Sequence, residues 1–184
     1  MSIILTGVRK LFFRELVTER LILRNIGHHD REFIYRQFSD LEVNRYLFDT
    51  EPLSSVEEAD ALIRFYLEEE PRWQHRWILT RKEDGEKMGT CGFHCWNKKS
   101  GICEIGYDLY PDYWKQGYMA EALTAIIDFG QKTMKLKKLE AHIYIGNADS
   151  IQSARRQQFV DSKQTYMETF RGIKYPHVIY VRYF

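Results

Sequence analysis

Hydrophobic and polar positions change period along this chain, and the changes predict its elements. After a short leader, Arg20-Leu21-Ile22-Leu23-Arg24 reads as a strand, with Thr18-Glu19-Arg20 as its polar lead-in. From Asp30 the apolar residues Phe33, Ile34, Phe38, Leu41 and Val43 fall at helical spacing, interrupted near Ser39-Asp40, which predicts two short helical pieces. Pro52 to Ser55 is a break. Ser55, three residues before Glu58, is a capping-box signature for a helix running to about Glu70, where Pro71 ends it. Trp77–Thr80 is a strand, Lys82–Gly85 a turn and Lys87–Trp96 a second strand. Asn97–Gly101 joins that strand to a third, Ile102–Tyr110, so the three form an antiparallel meander. Met119, Leu123, Ile126, Ile127, Gly130 and Met134 make one helical stripe. Leu139, Ala141, Ile143 and Ile145 then alternate against Glu140, His142 and Tyr144. This strand follows a helical crossover and is expected to lie parallel to the third strand of the meander. Asn147 and Asp149 read as caps for a short helix through about Gln158, and Val178–Phe184 as a closing strand. The expected class is α+β, a mixed, mostly antiparallel central sheet with helices on both faces and a splayed parallel strand pair.

Length and composition narrow what such a sheet serves. The 184 residues suit one domain, 1–184, with residues 1–16 as an N-terminal leader. Lys plus Arg (27) nearly cancel Asp plus Glu (26), so no global field points to nucleic acid or a membrane surface. No apolar run reaches the roughly 20 residues that span a bilayer, and the charges of MSIILTGVRKLFFRE follow its apolar part rather than precede it. A cytoplasmic, uncleaved protein is expected, with a homodimer as a candidate assembly. Cys91, Cys95 and Cys103 are an odd set and predict reduced thiols. Strand alternation sends Cys91, Phe93 and Cys95 to one face and His94 to the other, so these donors do not converge on an ion and no metal is expected.

Candidate chemistry concentrates in DYWKQGYMAEAL, Asp112 to Leu123. A turn entering a helix aims its first free amides at one spot, and the helix dipole adds partial positive charge there. Gly117 lets the backbone approach an anion with no Cβ in the way, and Lys115 adds a charge from the rim. The GxxxxGK[ST] and GxGxxG phosphate loops are both absent. On the strand before this turn, Ile102, Glu104, Gly106 and Asp108 share one face, and Cys103, Ile105, Tyr107 and Leu109 the other. A strand feeding such a turn, then a helix, then a parallel strand would splay from its neighbour and leave a crevice for an extended, amide-bearing ligand.

Several ordered segments carry a family resemblance: Thr18–Arg24, Phe38–Tyr46, Met88–Phe93, Glu104–Leu109, Tyr113-Trp114, Gly117-Tyr118-Met119, Glu121-Ala122-Leu123, and Asn147 with Ser150-Ile151. Together they resemble the GNAT superfamily of acetyl-coenzyme A-dependent N-acetyltransferases, and within it the ribosomal-protein N-terminal (Rim-type) branch. The resemblance implies a GNAT-like fold and acetyl-CoA as cosubstrate. It implies that backbone of Tyr107, Asp108 and Leu109 binds the pantetheine arm, and that amides of Trp114, Lys115, Gln116, Gly117, Tyr118, Met119 and Ala120 cradle the pyrophosphate. Asn147 would reach the cofactor's amide chain, with Ser150 nearby. The implied reaction moves an acetyl group to a primary amine, on a protein N-terminus or a small molecule, by direct attack in a ternary complex. An attacking amine must lose a proton, and Glu104 is the candidate base, with a plain structural hydrogen-bond acceptor as the competing reading. The resemblance further suggests that the Tyr107 N–H polarises the carbonyl. His142 is an alternative base. Trp73, Trp77 and Trp96 are candidate walls of the acceptor site, with core packing the more common role for each. Lys115 stands where the family usually has glycine, Gln116 where it has a basic residue, Gln157-Gln158-Phe159 where it has Leu-Gly-Phe, and Ala154 where many members place the tyrosine they use as general acid. A coenzyme A-binding scaffold without turnover is therefore the alternative function.

Overall fold

The computed structural model describes residues 12–69 and 72–184, so the expectations for residues 1–11 and for a helix stop at Pro71 lie outside the described residues. Eight strands form one sheet: β1 (Leu16–Val17), β2 (Leu21–Asn25), β3 (His75–Arg81), β4 (Lys87–Asn97), β5 (Ile102–Leu109), β6 (Lys138–Tyr144), β7 (Val160–Phe170) and β8 (Ile173–Tyr183). Their spatial order is β1-β2-β3-β4-β5-β6-β8-β7, and every neighbouring pair is antiparallel except β5–β6. The helices are α1 (Arg31–Ser39), α2 (Val56–Tyr66), α3 (Tyr118–Lys132) and α4 (Ala148–Arg156). None of them is long and apolar enough to cross a membrane.

Period-two alternation divides the core between the two faces of the sheet. Leu21, Leu23, Trp77, Leu79, Cys91, Phe93, Ile105, Leu139 and Ala141 pack against Ala122, Leu123, Ile126 and Phe129 of α3. Ile26 and Ile78 face the other way, onto Phe33, Ile34 and Phe38 of α1 and Ala59, Ile63 and Tyr66 of α2. Fully burying a side chain such as Ile126 or Ile63 stabilises by about 1.5–3 kcal/mol, so the two layers hold the sheet from both sides.

Several expectations are corrected. The segment assigned to the leader is structural from Phe12 onward: Phe13 is fully buried and stacks on His75 at 4.3 Å, and β1 pairs with β2. The closing strand begins earlier than Val178, and the residues ahead of it are strand as well. They form β7 and the first half of β8, a long hairpin whose half-polar β7 gives a weak alternation signal. α2 stops at Tyr66 rather than near Glu70, and the Glu58 carboxylate reaches back to the N–H and hydroxyl of Ser54, while the Ser55 side chain makes no cap bond. Asn147 caps α4 by accepting from the Ser150 N–H, whereas Asp149 lies in the first turn. Cys95 does not share a face with Cys91, because β4 carries a bulge between His94 and Asn97 where Cys95 adopts φ +50°. Trp96 takes the α3-facing place and Cys95 turns to the opposite side of the sheet. All three thiols are free.

Candidate active site

β5 and β6 run together for three residues only, Ile102 beside Lys138, Cys103 beside Leu139 and Glu104 beside Glu140. Beyond that point β5 stays on β4 as far as Leu109, and β6 stays on β8 as far as Tyr144, so the two strands part and leave a crevice. The ladder fixes which groups face it. The Tyr110 N–H donates to the Met88 carbonyl at 2.9 Å, which makes 108/90, 106/92 and 104/94 the hydrogen-bonded pairs of β4 and β5. Tyr107 and Leu109 therefore turn their amides and carbonyls away from β4, toward the gap. Asp108 turns its backbone to Thr90, and the Leu109 carbonyl is already bonded by the Trp114 indole N–H at 2.7 Å. Of the three residues expected along an extended ligand, Tyr107 presents both backbone groups and Leu109 its N–H. The Tyr107 hydroxyl bridges to α4, 2.9 Å from the Ser150 Oγ, and burial pushes its pKa up to about 12.

At the crevice mouth the turn before α3 is held by a clamp that the sequence alone did not suggest. Glu121 accepts from the Thr18 hydroxyl (2.5 Å), the Arg20 N–H (2.7 Å) and the Arg20 Nε (2.7 Å). Arg20 Nη1 also donates to the Gln116 carbonyl at 3.0 Å, and its guanidinium lies over the Tyr118 ring. Burial raises the Glu121 pKa, but these hydrogen bonds outweigh it and hold the carboxylate below its ordinary value. Gly117 is the N-cap of α3 at φ +84°, and Lys115 sits at φ +59°. Lys115 thus occupies the left-handed conformation that glycine adopts without penalty, and the turn holds it there at a cost in strain. The Trp114 N–H is spent on the Pro111 carbonyl at 3.0 Å, while the amides from Lys115 to Ala120 find no backbone acceptor among the described residues. These six amides at a helix N-terminus suit a pyrophosphate, and a Cβ at Gly117 would press toward Arg20, 3.3 Å away. Asn147 Oδ1 is occupied as a cap, which leaves its side-chain NH2 for a ligand.

On the far side of β5 lies a cavity of about 560 Å³. Glu104 and His142, the candidate base and its alternative, both line it, 38 positions apart in sequence but on adjacent strands. Donor atoms of Glu104, Glu140 and His142 lie within 4.8 Å of one another; Lys138, 2.7 Å from Glu140, competes with any cation for that carboxylate. The cavity is closed by parts absent from the sequence reading as site: the Tyr46–Leu53 segment and, from the C-terminal hairpin, Tyr166, Glu168 and His177. None of the three tryptophans lines it. Trp77 and Trp96 are core, and Trp73 is exposed.

The cavity floor is a buried polar network. Asp108 accepts from Arg76 (2.5 Å), the Thr90 hydroxyl (2.7 Å), the Thr90 N–H (3.1 Å) and Gln37 (2.7 Å). Arg76 also contacts His94 Nε2 at 3.0 Å, and burial together with this cation pushes the His94 pKa down to about 3. Asp108 therefore shapes the cavity floor by holding Arg76, a role the strand pattern could not reveal.

Comparison with known proteins bears on this arrangement. Residues 20–160 match the family model described as an Acetyltransferase (GNAT) domain. The chain is 35% identical over 140 residues to the uncharacterized N-acetyltransferase YoaA of Bacillus subtilis (strain 168), covering 75% of this chain and 78% of that one. It is 35% identical over 137 residues to the uncharacterized N-acetyltransferase p20 of Bacillus licheniformis, covering 74% and 76%. In fold it is similar to a GNAT-family acetyltransferase from Bacillus anthracis, with TM-score 0.78, 19% identity and 92% and 98% coverage. It is likewise similar to spermidine N-acetyltransferase from Vibrio cholerae in complex with CoA and spermine, with TM-score 0.79, 17% identity and 89% and 95% coverage.

Proposed function

This chain belongs to the GNAT acetyltransferase family, and on that premise we propose that it transfers an acetyl group from acetyl-CoA to a primary amine by direct attack within a ternary complex. The observation that carries the reading is the parting of β5 from β6 immediately after Glu104 and Glu140, with a cradle of free amides at one end and an acceptor cavity at the other. Acetyl-CoA supplies the activated thioester. The amides from Lys115 to Ala120 hold its pyrophosphate, the Tyr107 carbonyl and the Leu109 N–H bond its amide-bearing arm, and Asn147 and Ser150 flank that arm from α4.

The chain's own groups divide the proton and charge work. Glu104 takes the proton that the acceptor ammonium must lose before its nitrogen can attack. The Tyr107 N–H donates to the acetyl oxygen as negative charge develops there, which lowers the barrier because the donor is already oriented by the β4–β5 ladder. The motif resemblance to the ribosomal-protein N-terminal branch supports an amine acceptor and is matched by the fold-level likeness to a polyamine acetyltransferase, so the branch itself does not select the acceptor.

The test is Glu104→Gln, read by thiol release with a panel of amines and by the thermal shift with coenzyme A alone. A general base contributes roughly 10²–10⁴ in rate, so turnover should fall by at least about 100-fold with cofactor affinity unchanged. An undiminished rate would remove Glu104 from the mechanism.

A further inference from the structure

We propose that the cavity selects a small acceptor carrying a second cationic centre, a diamine or longer polyamine, over a monoamine or a protein N-terminus. This rests on reading Glu104 as the base at one end of that cavity.

Size is limited by the wall. The segment from Tyr46 to Leu53 spans from the helical layer to the C-terminal hairpin and is fixed at three points. The Leu53 N–H donates to the Phe38 carbonyl at 2.8 Å, the Phe48 ring stacks on Tyr175 at 3.8 Å and 9°, and Glu51 pairs with Arg171. A wall pinned at both ends confines the acceptor to a chamber of about 560 Å³, suited to a small molecule and not to a folded protein's N-terminus.

Charge decides the class. Five carboxylates line the cavity: Asp49, Glu51, Glu104, Asp108 and Glu168. Glu51 is neutralised by Arg171 and Asp108 by Arg76, whereas Asp49, Glu104 and Glu168 have no ion-pair partner among the described residues. The neighbouring His94 stays uncharged, since burial and Arg76 disfavour its protonation. The three uncompensated acids surround one phenol: burial, then Glu168, Glu104 and Asp49, push the Tyr166 hydroxyl up to about 12. The Tyr166 ring itself is held against His177 at 5.2 Å and 24° and so presents a fixed aromatic face. Glu104 is used on the attacking amine. Asp49, at the solvent-exposed rim, and the half-buried Glu168 then face the far end of the site, and a protonated second amine over Tyr166 would meet both carboxylate and ring. A monoamine would make neither contact.

The experiment compares kcat/KM for putrescine, butylamine and a short peptide with a free N-terminus at saturating acetyl-CoA. The expected preference for putrescine over butylamine is about tenfold or more, the size of one cation–π contact reinforced by a partly buried charge pair. Glu168→Gln and Asp49→Asn should each shrink that ratio, chiefly through KM for putrescine. Butylamine or the peptide used as well as putrescine, or a ratio unmoved in both variants, would overturn the proposal while leaving the amine acetyltransferase reading intact. Conversely, a Glu104→Gln enzyme that keeps full rate and the putrescine preference would sink the base assignment and uphold the diamine site.

Discussion

Lys115→Gly isolates the strain in the turn before α3. Lys115 is exposed, makes no hydrogen bond or ion pair among the described residues, and holds φ +59°. A side chain in the left-handed region costs about 1–2 kcal/mol, and glycine removes that cost. Against it stands the extra freedom glycine gives the unfolded chain, about 0.4–1 kcal/mol. The difference predicts a gain of about 0.5–1 kcal/mol, or roughly 1–4 °C in Tm for a chain of this size. Urea denaturation of wild type, Lys115→Gly and Lys115→Ala reads it directly. Alanine keeps the Cβ, so it should recover little of the gain. Destabilisation by glycine, or equal stabilisation by alanine, would refute the strain argument. A coenzyme A titration of the same proteins separates the second role of the residue: loss of the rim charge should weaken binding about two- to fivefold, less at high salt.

Two further outcomes follow from buried groups. Asp108→Asn keeps the volume but leaves the Arg76 cation buried without its counter-charge and sets an amide donor against Gln37, so stability should fall by about 3–5 kcal/mol in urea denaturation; a loss under 1 kcal/mol would contradict the network. Burial and the nearby Arg72 hold His75 well below its ordinary pKa, and His94 behaves likewise. Below pH 6.5 the unfolded chain binds protons that the folded one refuses, so stability is full above that value and declines as pH falls, by up to about 1.4 kcal/mol per pH unit for each such histidine. Glu121 and Asp30, with lowered pKa values, add their losses only nearer pH 4, so a flat profile of urea midpoints between pH 7 and 5 would contradict the histidine account.

Elements with a strong local period were legible. The meander, the α3 stripe and the parallel crossover into β6 all follow from nearest-neighbour chemistry: alternation, helical spacing, turn residues. β7 was not, because an edge strand half exposed on both faces carries polar residues at half-buried and open positions alike, and only pairing with β8 makes it a strand. The Cys95 assignment failed for a related reason, since one inserted residue in a bulge inverts every later side chain, and the bulge is set by how β4 meets β5.

By itself the sequence determined where a glycine turn would enter a helix and where a strand pair would splay, with Glu104 on that strand, because those properties travel with backbone geometry over a dozen residues. The tertiary structure decided what surrounds Glu104. Thr18 and Arg20 reach Glu121 across about a hundred positions, Glu51 meets Arg171 across 120, and Asp49, Glu104 and Glu168 gather around Tyr166 from three separate parts of the chain. Charge balance in a cavity is a sum over space, and the linear order of residues does not contain that sum until the sheet has brought them together.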